Sequence, residues 1–124
     1  SRGVLVLTLP PSVQIYVATD PVDLRKGFDG LSSVVQHVIR RDPLSGHLFV
    51  FINRRRNRAK ILVWERSGFV LVYKRLERGT FQMPAAPRLG QRHVELEASE
   101  LTLLLEGIDL RGAHRRPRWT PQST

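Results

Sequence analysis

The chain has 124 residues, of which 41% are apolar, and this size and composition suit a single globular domain. It carries 20 Lys and Arg against 11 Asp and Glu, giving a net charge of +9, and it contains no cysteine. The lack of cysteine excludes disulfide frameworks, cysteine zinc sites, iron–sulfur ligation and thiol catalysis. No apolar run approaches the roughly 18 residues that a membrane helix needs, and we expect a cytoplasmic protein.

The first third of the chain predicts one strand and one helix. Residues 1–12 read as an irregular lead, and the VQIYVA run at Val13–Ala18 has the β-branched and aromatic residues of a strand. The pattern over Leu24–Arg41 is helical, because its apolar residues recur at three- and four-residue intervals. Two glycines weaken the start of this segment, so the helix is expected to begin near Phe28.

Three strands are predicted in quick succession after the helix, over His47–Asn53, Lys60–Glu65 and Phe69–Leu76. Their connections of about three to six residues are too short for helical crossovers, so we expect an antiparallel meander. Both faces of the first of these strands are apolar, which places it in the centre of the sheet.

The last third of the chain predicts a short strand over His93–Leu96 and a helix over Ala98–Glu106. The fold class is therefore α+β: an antiparallel sheet of four to five strands with two helices, in the order β-α-β-β-β-(β)-α. The single domain is expected to span residues 13–111, followed by a basic, Pro- and Arg-rich flexible tail over residues 112–124. The first strand is equally able to pair with the first or the last strand of the meander.

The turn between the first two strands of the meander is strongly basic. Five of its seven residues from position 54 to position 60 are cations: Arg54, Arg55, Arg56, Arg58 and Lys60. A β-ribbon with such a tip can enter a groove of duplex DNA or lie across its phosphates. The alternative is a solvated turn, although a turn that needs only solubility more often mixes charges of both signs. We therefore predict contact with a nucleic acid or an acidic protein.

A second basic cluster lies at the end of the third meander strand, where Lys74, Arg75 and Arg78 stand between Tyr73 and Phe81. Cations beside aromatic rings can stack on bases and pair with phosphates. The alternative is that both rings belong to the core and that the cations are ordinary charges at a strand end.

Three aspartates, Asp20, Asp23 and Asp29, lie within ten residues and raise the possibility of a metal site for phosphoryl transfer. A two-metal site needs carboxylates that converge from several elements, whereas these come from one segment that also carries cations. Asp20 or Asp23 is better explained as the N-cap of the first helix. Since no catalytic motif is found elsewhere, the sequence predicts no catalytic residue, metal or cofactor.

Four ordered motifs of the chain resemble those of a known family: DPVDLRKGFDGL from Asp20, DPLSGHLFVF from Asp42, YKRLERGTF from Tyr73 and LLLEGIDL from Leu103. The family is the TnpB-type accessory protein of insertion-sequence family sixty-six, the product of that element's second reading frame. The resemblance implies an accessory factor encoded beside a transposase, with no catalytic residues of its own.

Charge and resemblance together predict a non-catalytic accessory factor of transposition that binds DNA, at the ends of the element, through the basic hairpin. The alternative is an adaptor that binds the transposase of the same element and has only non-specific affinity for DNA. A third hypothesis is a metal-dependent nuclease that uses Asp20, Asp23 and Asp29.

Overall fold

The computed structural model describes residues 10–84 and 89–107. Five strands and two helices follow one another in this part of the chain: β1 (Ile15–Ala18), α1 (Phe28–Val34), β2 (Leu48–Ile52), β3 (Arg58–Glu65), β4 (Gly68–Arg75), β5 (His93–Leu96) and α2 (Ala98–Leu105). A π-helical segment, Val35–Ile39, continues α1. The strands form one sheet in the order β4-β3-β2-β1-β5, so β2 is central as predicted.

The α+β class, the two helices and the meander β2-β3-β4 are confirmed, and β2 pairs antiparallel with β3 as β3 does with β4. The sheet is mixed, however, because β1 pairs parallel with β2, with Ile15 opposite Leu48. The physical reason is the helix between these two strands, which returns the chain to the end of the sheet where β1 began. The first strand thus pairs with the first strand of the meander, and β5 pairs antiparallel with β1 at the far edge.

Each face of the sheet is covered by one helix. On the face that we call the α1 face, the helical residues Leu31, Val35 and Ile39 are buried against β2 and β3, where the contacts are Phe49, Phe51 and Leu62. On the opposite α2 face, Leu101, Leu104 and Leu105 of the helix are buried against strand residues that alternate with those of the α1 face. These strand residues are Leu48, Val50, Ile52 and Ala59, and the fully buried ring of Phe81, from the loop after β4, joins them. Because neighbouring residues of a strand point to opposite faces, a side chain's position in β3 or β4 decides which face it joins.

The start of α1 differs from the prediction that an aspartate caps it. The N-cap residue is Gly27, whose backbone is extended and provides no side-chain hydrogen bond, and the helix begins at Phe28 as expected. Asp23 lies too early in the chain and accepts a hydrogen bond from the backbone N–H of Arg25 at 3.0 Å. Asp20 forms an ion pair with Arg92 at 2.8 Å. Both aspartates therefore have partners in the chain before the helix begins, and neither caps it.

Helix α2 has the predicted bounds to within one residue. The backbone N–H of Glu97, at the N-cap, donates to the carboxylate of Glu100 at 2.8 Å, which satisfies one of the donors at the start of the helix. Gly107 follows the helix with a φ of +77°, the left-handed conformation that favours glycine at this position. Most of the predicted lead (residues 1–9), residues 85–88 of the preceding loop and the predicted tail lie outside the described residues.

Candidate nucleic-acid interface

The loop between β2 and β3 is held in one conformation by Asn53. The Asn53 Oδ1 atom accepts hydrogen bonds from the backbone N–H groups of Asn57 and Arg58, each at 3.0 Å. Its Nδ2 atom donates to Asn57 Oδ1 at 2.9 Å, and its own backbone accepts from Arg56 N–H at 3.0 Å. A single half-buried side chain thus closes the loop that carries the basic residues.

The chain that follows β4 supports the same loop from the α2 face. The backbone N–H of Leu76 donates to the carbonyl oxygen of Asn57 at 2.8 Å, and that of Phe81 donates to Arg56 at 2.6 Å. Because the Phe81 side chain is fully buried beside α2, this second contact joins the loop to the core. The loop is therefore a braced projection of the sheet.

Arg54, Arg55 and Arg56, which we call the tip cations, are exposed at the end of this projection. Within the described part of the chain, none of the three side chains has a hydrogen-bond or ion-pair partner. Their charges are therefore available to an external anion.

Arg58, Lys60 and Arg75, which we call the strand cations, lie together on the α1 face, because Arg58 pairs with Arg75 and Lys60 pairs with Tyr73. Arg58 Nη1 donates to the Tyr73 hydroxyl at 2.8 Å. Lys60 Nζ lies 5.0 Å from the centroid of the Tyr73 ring and donates to the carbonyl oxygen of Lys26 at 3.1 Å. Each of these contacts fixes where a positive charge stands.

The second predicted cluster is divided between the two faces. Arg75 joins the α1 face and forms an ion pair with Glu77 at 2.8 Å. Lys74 stands opposite Ala59, which is buried on the α2 face, so it points away from the strand cations. Arg78 is exposed in the bend after β4. Tyr73 is half-exposed on the α1 face, whereas Phe81 belongs to the core.

A groove of about 650 Å³ lies between the tip and the segment that precedes α1. The backbone N–H of Val22 donates to the carbonyl oxygen of Ile52 at 3.0 Å, which brings this segment against the end of β2. The groove is lined by ten residues: Pro21, Val22, Asp23, Leu24, Arg25, Asn53, Arg54, Arg55, Arg58 and Tyr73. Two of the sequence motifs, one beginning at Asp20 and one including Tyr73, therefore meet at the basic tip.

Among the described residues that line the groove, Asp23 is the one carboxylate, and its negative charge is balanced by an arginine. Asp23 forms an ion pair with Arg25 at 2.7 Å, and the hydrogen bonds from the Arg25 side chain and backbone lower the pKa of Asp23 to about 2. Sequence reasoning missed Asp23 and Arg25 as part of this site. The sequence signal for them was a run of charged residues just before α1, and helix capping would account for only one of these residues.

The three aspartates that suggested a metal site do not come together. Asp20 is paired with Arg92 and Asp23 with Arg25, and Asp29 lies in the first turn of α1. Across residues 10–84 and 89–107, no group of three His, Cys, Asp or Glu side chains is arranged to hold a metal ion. Nor does any helix there have the length and apolar character needed to cross a membrane.

Comparison with known proteins gives the family. The family model described as "IS66 Orf2 like protein" matches residues 13–115. The chain belongs to this family. Membership suggests an accessory role in the transposition of an insertion sequence.

Two proteins of Sinorhizobium fredii (strain NBRC 101917 / NGR234) are similar over most of their length. The chain is 38% identical over 105 residues to "Uncharacterized protein y4jC", covering 85% of this chain and 87% of that protein. It is 36% identical over 110 residues to "Uncharacterized protein y4hO", covering 89% of this chain and 91% of that protein. No solved structure matches.

Proposed function

We propose that this protein is a non-catalytic accessory factor of transposition that binds DNA through the braced basic hairpin. The observation that carries the proposal is the charge arrangement: three tip cations without a described partner lie beside Arg58 and Lys60, which have no acidic partner among the described residues. The nearby acids, Asp23 and Glu77, are each paired with an arginine. The interface therefore has a net positive charge.

In this proposal the two kinds of cation make different contacts with DNA. The tip cations reach phosphates or a groove edge, because they project beyond the sheet and are exposed. Arg58 and Lys60 contact the phosphate backbone of the DNA, and Tyr73 fixes the positions of both side chains. Arginine suits this role, since its planar group can bind two phosphate oxygens together. Neutralising about five phosphates would give a log–log salt slope near −4.5.

The first test is a salt titration of affinity for the element's terminal repeat and for scrambled DNA of equal length. A protein with a net charge of +9 is expected to bind any DNA at low salt, so the comparison is made at physiological salt. A preference of a hundredfold or more, about 2.7 kcal/mol, would identify site recognition. Equal affinities that fall together with salt would reduce the interaction to phosphate attraction and overturn binding at the element's ends.

The hairpin is tested by replacing all three tip cations, Arg54, Arg55 and Arg56, by alanine. We expect the salt slope to become shallower by roughly 2–3 units, because about three phosphate contacts are lost. The control replaces Arg40, Arg41 and Arg66, which lie near the opposite end of β2 and β3, and so removes the same charge elsewhere. An unchanged slope in the tip variant, or an equal change in the control, would remove the hairpin from the interface.

A second candidate function is an adaptor for the element's transposase. The observation that favours it is the apolar part of the groove lining, exposed Pro21 and partly buried Val22 together with buried Leu24, which phosphate binding does not require. An acidic segment of the transposase with apolar side chains would use both the cations and this lining. Formation of a complex with the transposase in the absence of DNA, stable at high salt, would support the adaptor; loss of the complex at moderate salt would contradict it.

A further inference from the structure

The outer edge of β4 is long and regular. All eight of its residues, Gly68–Arg75, pair with β3 without a bulge, and no strand lies on its other side in the described sheet. The Leu76–Asn57 hydrogen bond sets the alternation of the ladder, so the backbone groups of every second residue point outward. These residues are Phe69, Leu71, Tyr73 and Arg75.

Most side chains of this edge are also apolar, and its two charged residues, Lys74 and Arg75, lie at one end. The run from Phe69 to Tyr73 has no charged residue and no proline, and Val70 and Tyr73 remain 43% and 50% exposed. Proteins usually protect such an edge by shortening it, by a charge or proline within it, or by covering it. The opposite edge strand, β5, is protected in this way, because it has only four residues and includes exposed Glu95.

We propose that the β4 edge is an interface with a second copy of this chain, paired antiparallel about a two-fold axis near Val72. A strand edge is its own complement in such a pair, since each copy offers the same pattern of donors and acceptors. Antiparallel pairing also places the cationic end of one strand beside the uncharged end of the other, with Lys74 opposite Val70 and Arg75 opposite Phe69. Like charges are thereby separated, and the two sheets become one sheet of ten strands.

The proposed dimer presents both basic hairpins on the same side, because the two-fold axis runs perpendicular to the sheet. With a rise of about 3.4 Å per residue and strands about 4.8 Å apart, the two tips lie on the order of 40 Å from each other. This is close to the roughly 34–36 Å that separates successive major grooves on one side of DNA. The spacing argument rests on the proposed DNA binding, whereas the dimer itself does not.

Sedimentation analysis of the full chain tests the interface. We expect a species of twice the 14.2 kDa chain mass at tens of micromolar, and a dimer at least tenfold weaker in Val70→Lys, because the lysine places charge inside the paired edge. Leu44→Lys is the matched control, since Leu44 is 51% exposed in the turn before β2, and it should dimerise like the wild type. A monomeric wild type at 100 µM, or a Val70→Lys dimer of wild-type strength, would overturn the proposal.

The register is tested with single cysteines, which is clean because the natural chain has none. Val72→Cys should form an intermolecular disulfide on mild oxidation, and Leu44→Cys should not; equal cross-linking at both positions would contradict the pairing. The measurement also separates the dimer from DNA binding. The wild-type dimer and that of the tip variant should persist at a salt concentration that abolishes DNA binding, so either proposal can fail alone.

Discussion

The tip cations and the strand cations carry the same charge but are held in different ways. Arg54–Arg56 project from a braced loop and have no described partner, whereas Arg58, Lys60 and Arg75 are fixed by Tyr73, Lys26 and Glu77. Free charges attract DNA over a distance and are screened by salt. Held charges act where they stand and lose less side-chain freedom on binding. In the proposed interface, one short hairpin would therefore combine attraction with orientation.

The largest effect on this comparison is expected from Asn53→Ala, which removes the brace without changing any charge. The free energy of unfolding should fall by about 1–2 kcal/mol, because two backbone N–H groups lose their acceptor. Affinity for DNA should fall severalfold while the salt slope stays constant, since the tip keeps its cations but loses their position. Chemical denaturation and a salt titration measure the two quantities.

Asn57→Ala is the control for that variant, because among the described residues its side chain accepts only the bond from Asn53 Nδ2. It should cost less than half as much stability and leave affinity close to wild type. A change in the salt slope of Asn53→Ala would show that the brace alters the number of phosphate contacts, and the distinction between charge and position would then fail.

A smaller effect is expected from Glu77→Gln, which turns a held cation into a free one. The variant releases Arg75 from an ion pair whose side chains are 56% and 74% exposed, so the free energy of unfolding should change by less than about 1 kcal/mol. Affinity for DNA should rise about two- to threefold and the salt slope should steepen by up to about 1 unit. Glu106→Gln, which removes an exposed charge at the end of α2, is the control. Equal gains in both variants would show that only net charge matters.

Most of the fold was predictable because alternation and helical spacing are local signals. The start of β3 was predicted at Lys60 but lies at Arg58, since the Asn53 brace extends the ladder by two residues. The parallel pairing of β1 was not predictable from local pattern, because it depends on where the crossover through α1 returns the chain. The prediction that an aspartate caps α1 was wrong, because the Asp23 carboxylate accepts its hydrogen bond from the backbone N–H of Arg25, in the turn before the helix.

The basic residues of the candidate site cluster visibly in the sequence, but their grouping in space could not be predicted from it. Lys74 and Arg75 are neighbours in sequence and lie on opposite faces, a consequence of strand geometry that becomes visible only once the register with β3 is known. The segment containing Asp23 and Arg25 joins the groove through a backbone bond between Val22 and Ile52, which leaves no trace in composition.

The left-handed backbone of Arg56 sets the stability of the fold against the proposed binding of DNA. Its φ of 59° costs a non-glycine residue about 1–2 kcal/mol of strain, which a glycine would avoid. A glycine would also have more freedom in the unfolded chain, and this would cancel roughly 0.5–1 kcal/mol of that gain in stability. Arg56→Gly is therefore expected to raise the free energy of unfolding by about 0.5 kcal/mol and to weaken DNA binding.

Arg66→Gly, at a φ of 56° in the turn between β3 and β4, should give the same gain in stability and leave binding unchanged. Thermal denaturation and DNA titration of the two variants check this. Arg56→Gly should gain stability and lose DNA affinity, whereas Arg66→Gly should gain stability alone. A loss of stability in both would contradict the argument. If both results are as expected, Arg56 lowers the stability of the fold, and its positive charge contributes instead to binding a partner outside the chain.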